Sequence, residues 1–373
     1  MLLTEAAGKG LLHAARVPTA SGTVVTDPEQ LLFDGPWQFP VAAKAQVQAG
    51  GRGKAGGIIR CDDLDQLTEA FTTIMSATFA GERPTGILVE PWLMIDRELY
   101  LSVVVDPAAD GFAVLYSPTG GIEIESAENV VRHVVGDARS FRGAELRTAL
   151  TSVEPDESVR EQVITFARSL LDVAVRFDAT TVEVNPLAVA SGRLTAVDAK
   201  VVVDDSAAFR QDTTSRHLTA AHAREDEIAR LCRMKRLVFV PLGGSIGLIS
   251  GGAGMTMRAM DAIAEAGGAA AGFLDISNNP TPDGVRAAAA SLHSLDGVDR
   301  ILVSIFGGGL DVGRLAKSFA QLIDDGEISL PVAFRLSGSG REAATAILAE
   351  RGIQNHETLE SAVAELRESA VVR

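Results

Sequence analysis

KAQVQAGGRGKAGG, residues 44–57, runs an apolar strand into a loop, and the stretch holds five glycines and three basic residues. Glycine lets backbone N–H groups approach an anion through conformations that a Cβ forbids, while Lys44, Arg52 and Lys54 supply positive charge. The stretch therefore reads as a polyphosphate cradle. A solvated hairpin tip is the alternative that composition alone leaves open. The surroundings make the charge notable: 34 Lys and Arg stand against 49 Asp and Glu, a formal net charge of −15. So acidic a chain repels nucleic acid and anionic membrane surfaces, and any bound anion must meet a local basic patch.

Working outward, 373 residues exceed what one hydrophobic core usually serves, so more than one domain is expected. The fold class expected is α/β. An α+β region fills residues 1–230, with candidate strands at 22–26, 40–46, 86–90, 97–105 and 112–116 and helices at 2–16, 64–79 and 154–177. Residues 204–236 are charged and alanine-rich and read as a helical connector. From 237 to 373 the rhythm becomes strand, loop, helix, which predicts a doubly wound parallel sheet. Cys61 and Cys232 are far apart and lack metal-ligand spacing, which fits a reducing compartment. With no leader pattern and no membrane-length apolar run, a cytoplasmic location is the expectation.

The segment 181–203, TVEVNPLAVASGRLTAVDAKVVV, reads as two strands joined at Ser191-Gly192. If Ala190 faces Arg193, paired numbers sum to 383, so Glu183 faces Lys200 and Asn185 faces Asp198, all four on one side. Asn185 and Asp198 are oxygen donors of the kind Mg²⁺ takes alongside nucleotide phosphates. A solvated polar face is the other reading. Glu90 and Glu98 stand at strand ends, where carboxylates accept hydrogen bonds from a nucleotide or simply meet water. Further on, GLISGGAGMTM predicts a helix N-terminus at Gly252, Ala253 and Gly254, a place that favours an anion. A second glycine run, Gly307 to Gly309, also follows a strand.

Taken in order, the phosphate loop, Glu90 with Glu98, SPTGGIEIE at 117–125, VEVNPL at 182–187, AFRQ at 208–211, GGAGMTM at 251–257, FLDI at 273–276 and SIFGGG at 304–309 resemble the β subunit of succinyl-CoA synthetase. The resemblance covers nearly the whole chain. It implies an ATP-grasp domain followed by a flavodoxin-like, CoA-ligase-type domain, and an α-subunit partner that carries the CoA site and a phosphohistidine. By resemblance, Lys44 and the backbone at Arg52, Gly53 and Lys54 hold the phosphates of ATP or GTP, Glu90 and Glu98 contact the nucleotide, and Asn185 and Asp198 bind Mg²⁺. Glu183 matches a carboxylate that orients the histidine. The implied reaction is an acid–CoA ligation: ATP phosphorylates the partner's histidine, the phosphate passes to a carboxylate, and thiolate displaces it. None of the six histidines of this chain lies in a nucleophile-like motif, so the chain is expected to be complete only with its α subunit.

Departures gather at the acid end. Gly251 stands where the family has an asparagine that touches the acid, Ser277-Asn278-Asn279-Pro280 replaces small glycines, and Gly308, Gly309 and Leu310 lead into Asp311 where the family differs. These changes leave the acid as succinate-like or a related di- or tricarboxylic acid, a bulkier one carrying polar groups for Asn278 and Asn279. Two further readings stand beside the ligase: a regulatory nucleotide-binding subunit, and an ATP-grasp carboxylate–amine ligase.

Overall fold

The turn Ser191-Gly192 has φ of +50° and +74°, the left-handed pair that two-residue hairpins use. It sets the register of the strands on either side: Ala190 faces Arg193, Leu187 faces Ala196 and Glu183 faces Lys200. In this computed structural model, which describes residues 1–33, 37–121, 129–222 and 226–370, that hairpin sits inside a larger antiparallel sheet.

The chain divides into two compact units, Met1–Ala220 and Ala221–Arg373. The first holds two sheets. One orders its strands β1-β4-β2-β3, from β1 (Thr23–Val25), β2 (Val41–Ala45), β3 (Ile58–Cys61) and β4 (Ile87–Pro91). The other runs β10-β8-β5-β6-β7, built from β5 (Arg97–Asp106), β6 (Gly111–Ser117), β7 (Val131–Gly136), β8 (Ala179–Ala190) and β10 (Lys200–Val203), with β9 (Arg193–Ala196) paired to β8. The helices are α1 (Glu5–Ala14), α2 (Gln30–Phe33), α3 (Leu64–Ser76), α4 (Gly143–Leu150), α5 (Glu157–Arg176) and α6 (Asp212–His222). The apolar stripe of α5, Val159, Val163, Phe166, Leu170 and Val173, packs onto Leu101, Val103, Val182 and Val184 of the larger sheet. Helix α3 lays Leu67, Phe71 and Ile74 on the smaller one. β3 and β7 carry no expectation from sequence, and the helical connector contains α6 and the next helix.

The second unit follows α7 (Glu227–Met234) with β11 (Val238–Pro241), β12 (Ile246–Ser250), α8 (Ala253–Glu265), β13 (Ala270–Asp275), α9 (Pro282–His293), β14 (Arg300–Gly307), α10 (Val312–Asp324), β15 (Val332–Gly338), α11 (Arg341–Ala349) and α12 (Leu359–Ala370). Its strand order is β11-β13-β12-β14-β15. The last four are parallel, but β11 is antiparallel to β13, which differs from the all-parallel expectation. The reason is local: only residues 242–245 separate β11 from β12, too few for the crossover that parallel strands need.

Candidate functional site

Between β9 and β10 the ladder breaks, and Asn185 and Asp198 stand beside the break rather than in paired positions. There they line a cavity of about 570 Å³ together with Arg52, Lys54, Glu98 and Glu183. The volume is that of a small-molecule site. A larger hollow of about 890 Å³ lies over α11, but among the described residues its lining offers only Arg341 and Glu342 as charged groups, so the polar convergence favours the first.

The glycine loop forms one wall. Gly51 and Gly56 have φ of +76° and +78°, and the amides of Ala55, Gly56 and Gly57 bond back to the carbonyls of Gly51, Arg52 and Gly53. The amides of residues 50–54 donate no hydrogen bond among the described residues. A row of free N–H groups beside basic side chains is what an oxyanion needs.

The structure divides the three basic residues of the loop. Lys54 is exposed at the cavity and makes no ion pair among the described residues. Lys44 and Arg52 are buried, 4% and 7% exposed, and committed. Lys44 Nζ lies 2.9 Å from Glu5 Oε1, 2.7 Å from Glu90 Oε2 and 2.7 Å from the Val197 carbonyl. Arg52 Nη2 pairs with Glu5 and, at 2.8 Å, with Asp198 Oδ1. Lys9 closes the set on Glu5 at 2.8 Å and on Glu90. Three cations thus meet three carboxylates. Glu90, expected as a nucleotide contact, is 2% exposed behind Lys44 and is absent from the cavity lining. Glu98 is exposed and lines it.

Sequence reading missed Glu5 and Lys9. Both sit on α1, a helix whose charged positions look solvent-facing, yet Glu5, Lys9 and Leu12 fall on one buried stripe at spacings of four and three. That spacing was the available signal. Burial alone would push the Glu5 carboxyl up, but Lys44, Arg52 and Lys9 outweigh it and hold it at about 2, below the usual 4.5. Burial likewise works to lower Lys44 and Arg52, and their carboxylate partners raise both instead. Because the folded value of Glu5 is depressed, its contribution to stability is complete above pH 4.5 and is lost as pH falls toward 2. Acid titration should unfold the first unit across that window. The only tryptophans, Trp37 and Trp92, lie in this unit, so their fluorescence reads the transition.

Gly121 is a second residue that the sequence left without a role. Its N–H donates to Asn185 Oδ1 at 2.6 Å and its carbonyl accepts from Asn185 Nδ2 at 2.9 Å, so the amide is held from both ends. The position has φ +93°, and a Cβ there would meet Glu98 Oε2 at 2.7 Å. Gly121→Ala should therefore release Asn185 and displace Glu98, weakening nucleotide binding about tenfold, while the strained backbone costs about 1–2 kcal/mol of stability. Titration of the full chain with Mg·ATP checks this. Residues 122–125 of the SPTGGIEIE motif lie outside the described residues.

For a metal, the donor set is Asn185 Oδ1, Asp198 and the nearby Glu183 carboxylate. Among the described residues no three His, Cys, Asp or Glu side chains cluster as a metal cage. So thin an oxygen set fits Mg²⁺, which takes one or two protein carboxylates and completes its shell with phosphate and water. Glu183 is half-buried, 3.8 Å from Lys200 Nζ and 3.5 Å from the Tyr100 hydroxyl. Among the described residues no histidine lines the cavity.

In the second unit, Gly251, Gly252, Ala253 and Gly254 open α8, and Gly308, Gly309 and Leu310 follow β14, the strand beside β12. Both loops therefore end at one edge of the sheet. Gly252 is the N-cap at φ +92° and offers no side chain, so the first amides of α8 are uncapped. Asn279 is not free for an acid, contrary to expectation. Its Nδ2 donates to the Lys235 carbonyl at 2.8 Å and its Oδ1 accepts from Thr281 at 2.6 Å, which fixes the start of α9.

Comparison with known proteins agrees with this division. Residues 2–189 match the ATP-grasp domain family and residues 249–370 the CoA-ligase family. The chain is 32% identical over 376 residues, 97% of each chain, to the succinate–CoA ligase [ADP-forming] subunit beta of Desulfurococcus amylolyticus. It is 33% identical to that of Chloroflexus aurantiacus, over 94% of each. In fold it is similar to ATP citrate lyase from Methanothrix soehngenii, solved with citrate and coenzyme A, at a TM-score of 0.74, 17% identity and 99% coverage of both chains.

Proposed function

We propose that this chain, which belongs to the family of ADP-forming succinate–CoA ligase β subunits, uses the cavity of its first unit to load phosphate onto a histidine of an α-subunit partner. It is the β subunit of an ATP-dependent acid–CoA ligase. The observation that carries the proposal is one cavity lined by the glycine loop, Glu183, Asn185 and Asp198. An amine ligase would have no need of the CoA-ligase unit at 249–370.

The free amides of residues 50–54 and the Lys54 ammonium cradle the β- and γ-phosphates of ATP. Arg52, anchored on Glu5, faces the same oxygens. Asn185 and Asp198 would hold Mg²⁺, which when bound neutralises charge on the phosphates. Glu183 orients the incoming imidazole by accepting its far N–H. The near nitrogen then attacks the γ-phosphorus, an N–P bond forms as the P–O bond to ADP breaks, and ADP leaves. At the second unit, the uncapped amides of α8 favour the phosphorylated ring, from which an acid's carboxylate takes the phosphate before CoA thiolate displaces it. Among the described residues no helix is long and apolar enough to cross a membrane.

The acid is the open variable. A Cβ at Gly251 would meet only Ile305, at 3.5 Å, so the missing asparagine leaves room there. The chain reconstituted with its α partner should consume ATP in the presence of CoA and a di- or tricarboxylic acid, assayed over a panel from succinate to citrate. ATP binding without turnover of any acid would favour a regulatory subunit instead.

A further inference from the structure

Among the described residues, six buried side-chain nitrogens and oxygens lack a hydrogen-bond partner: Ser102 Oγ, Ser304 Oγ, Arg335 Nε and Nη1, Ser337 Oγ and His356 Nδ1. Five of these six lie on one face of the second unit's sheet. Ser304 of β14 stands directly across from Arg335 of β15, and Ser337 follows two residues later on the same side. Asn355 pairs in parallel with Phe334, so the next residue, His356, stands beside Arg335. The face is the one that α8 and α12 cover, since Leu302 and Ala333 pack there with Ala259, Ile263, Leu359 and Val363.

The row reaches the amino end of α8. Ser250 of β12 stands across from Ser304, and its hydroxyl bonds Thr256 in the second turn of that helix. The set therefore lies near the carboxyl edge of a parallel sheet, where α/β folds place their ligands. The neighbouring charged groups are already engaged. Arg258 of α8 pairs with Glu265 and with Glu360 of α12, and Glu365 of α12 takes the Nε2 side of His356.

Arg335 is half-buried, but its Nε and Nη1 are shut from solvent without a partner, and leaving two donors of a charged group unpaired is costly. We infer that Arg335, with Ser304 and Ser337, is a specificity-determining residue of the acid–CoA ligase, a subsite that takes a carboxylate of the acid substrate. This rests on the ligase reading above. One cation flanked by hydroxyl donors matches the single charge of a carboxylate, whereas a divalent phosphate calls for more.

The test separates ligand from scaffold by the opposite signs it predicts. Arg335→Met should melt higher than wild type without ligand, because two buried, unpaired guanidinium donors have gone. The rise in melting temperature that succinate or citrate gives the wild-type chain should be lost. In the reconstituted ligase the KM for the acid should rise about 10- to 100-fold while the KM for ATP stays unchanged. Arg335→Lys, which keeps the charge and loses the fork, should fall between. The subsite is overturned if Arg335→Met melts lower and keeps its acid response. It is equally overturned if orthophosphate alone, and neither acid, raises the wild-type melting temperature. Were the wild-type pair to show no ligase activity, the function proposed above would fall, while the melting arm would still decide the subsite.

Discussion

Exchanging Asp198 for asparagine is expected to lower kcat/KM for ATP in the reconstituted ligase by about 100-fold or more, since even outer-shell partners of a metal site cost 10–100-fold. Two losses combine. The carboxylate is the charged member of the Asn185 and Asp198 pair, and it is also one of the two anions that hold Arg52, at 2.8 Å. An amide keeps the shape and can still bond the backbone at Ala199, which Asp198 Oδ1 accepts from at 2.7 Å. It supplies no charge to either neighbour. The two losses separate by titration with Mg²⁺. The metal component appears as a raised Mg²⁺ requirement that excess ion partly restores, while the Arg52 component persists at saturating Mg²⁺ and is reproduced by Arg52→Lys. Unchanged activity at limiting Mg²⁺ would remove Asp198 from the metal site.

Why some of this was legible in the sequence and some was not follows from range. The hairpin register comes from two residues, Ser191 and Gly192, whose left-handed backbone fixes every pair on both sides, and so the facing of Glu183 and Lys200 is a local property. The glycine loop is local too. By contrast, Glu5 and Lys9 meet Lys44, Arg52 and Glu90, partners that are 39 to 81 residues away, and no window on α1 contains that information. The same distance hides the commitment of Lys44 and Glu90 to each other. Both were read as contacts of a ligand, yet their charges face one another behind the cavity wall. Asn279 was misread for a related reason: its partner, the Lys235 carbonyl, belongs to the end of α7, forty-four residues earlier. β11 shows the converse case. Its direction was readable from the four-residue connection to β12, had loop length been weighed against the rhythm of the elements.

Replacing Glu5 by alanine is expected to destabilise the ATP-grasp unit by about 3–5 kcal/mol, the usual cost of removing one partner from a buried ion set. The count explains the size. Lys9, Lys44 and Arg52 balance Glu5, Glu90 and Asp198, and without Glu5 three buried cations face two carboxylates. Packing is a minor part, since alanine removes few apolar atoms. Unfolding in urea, followed by Trp37 and Trp92, reads the unit that holds the network without interference from the other. The control is the pair Glu5→Gln with Lys9→Met. That double variant removes one charge of each sign and leaves Lys44 with Glu90 at 2.7 Å and Arg52 with Asp198 at 2.8 Å, two matched pairs. It should recover most of the stability lost by Glu5→Gln alone, a non-additivity of about 1–3 kcal/mol for residues in one network. Nucleotide affinity should not recover with it, because Arg52 then keeps only Asp198 of the two carboxylates that hold it at the phosphate loop. Stability would thus return while the KM for ATP stays high, which separates charge balance from the placement of Arg52. If the double variant instead lost the sum of the two single effects, charge balance would not be what makes Glu5 necessary.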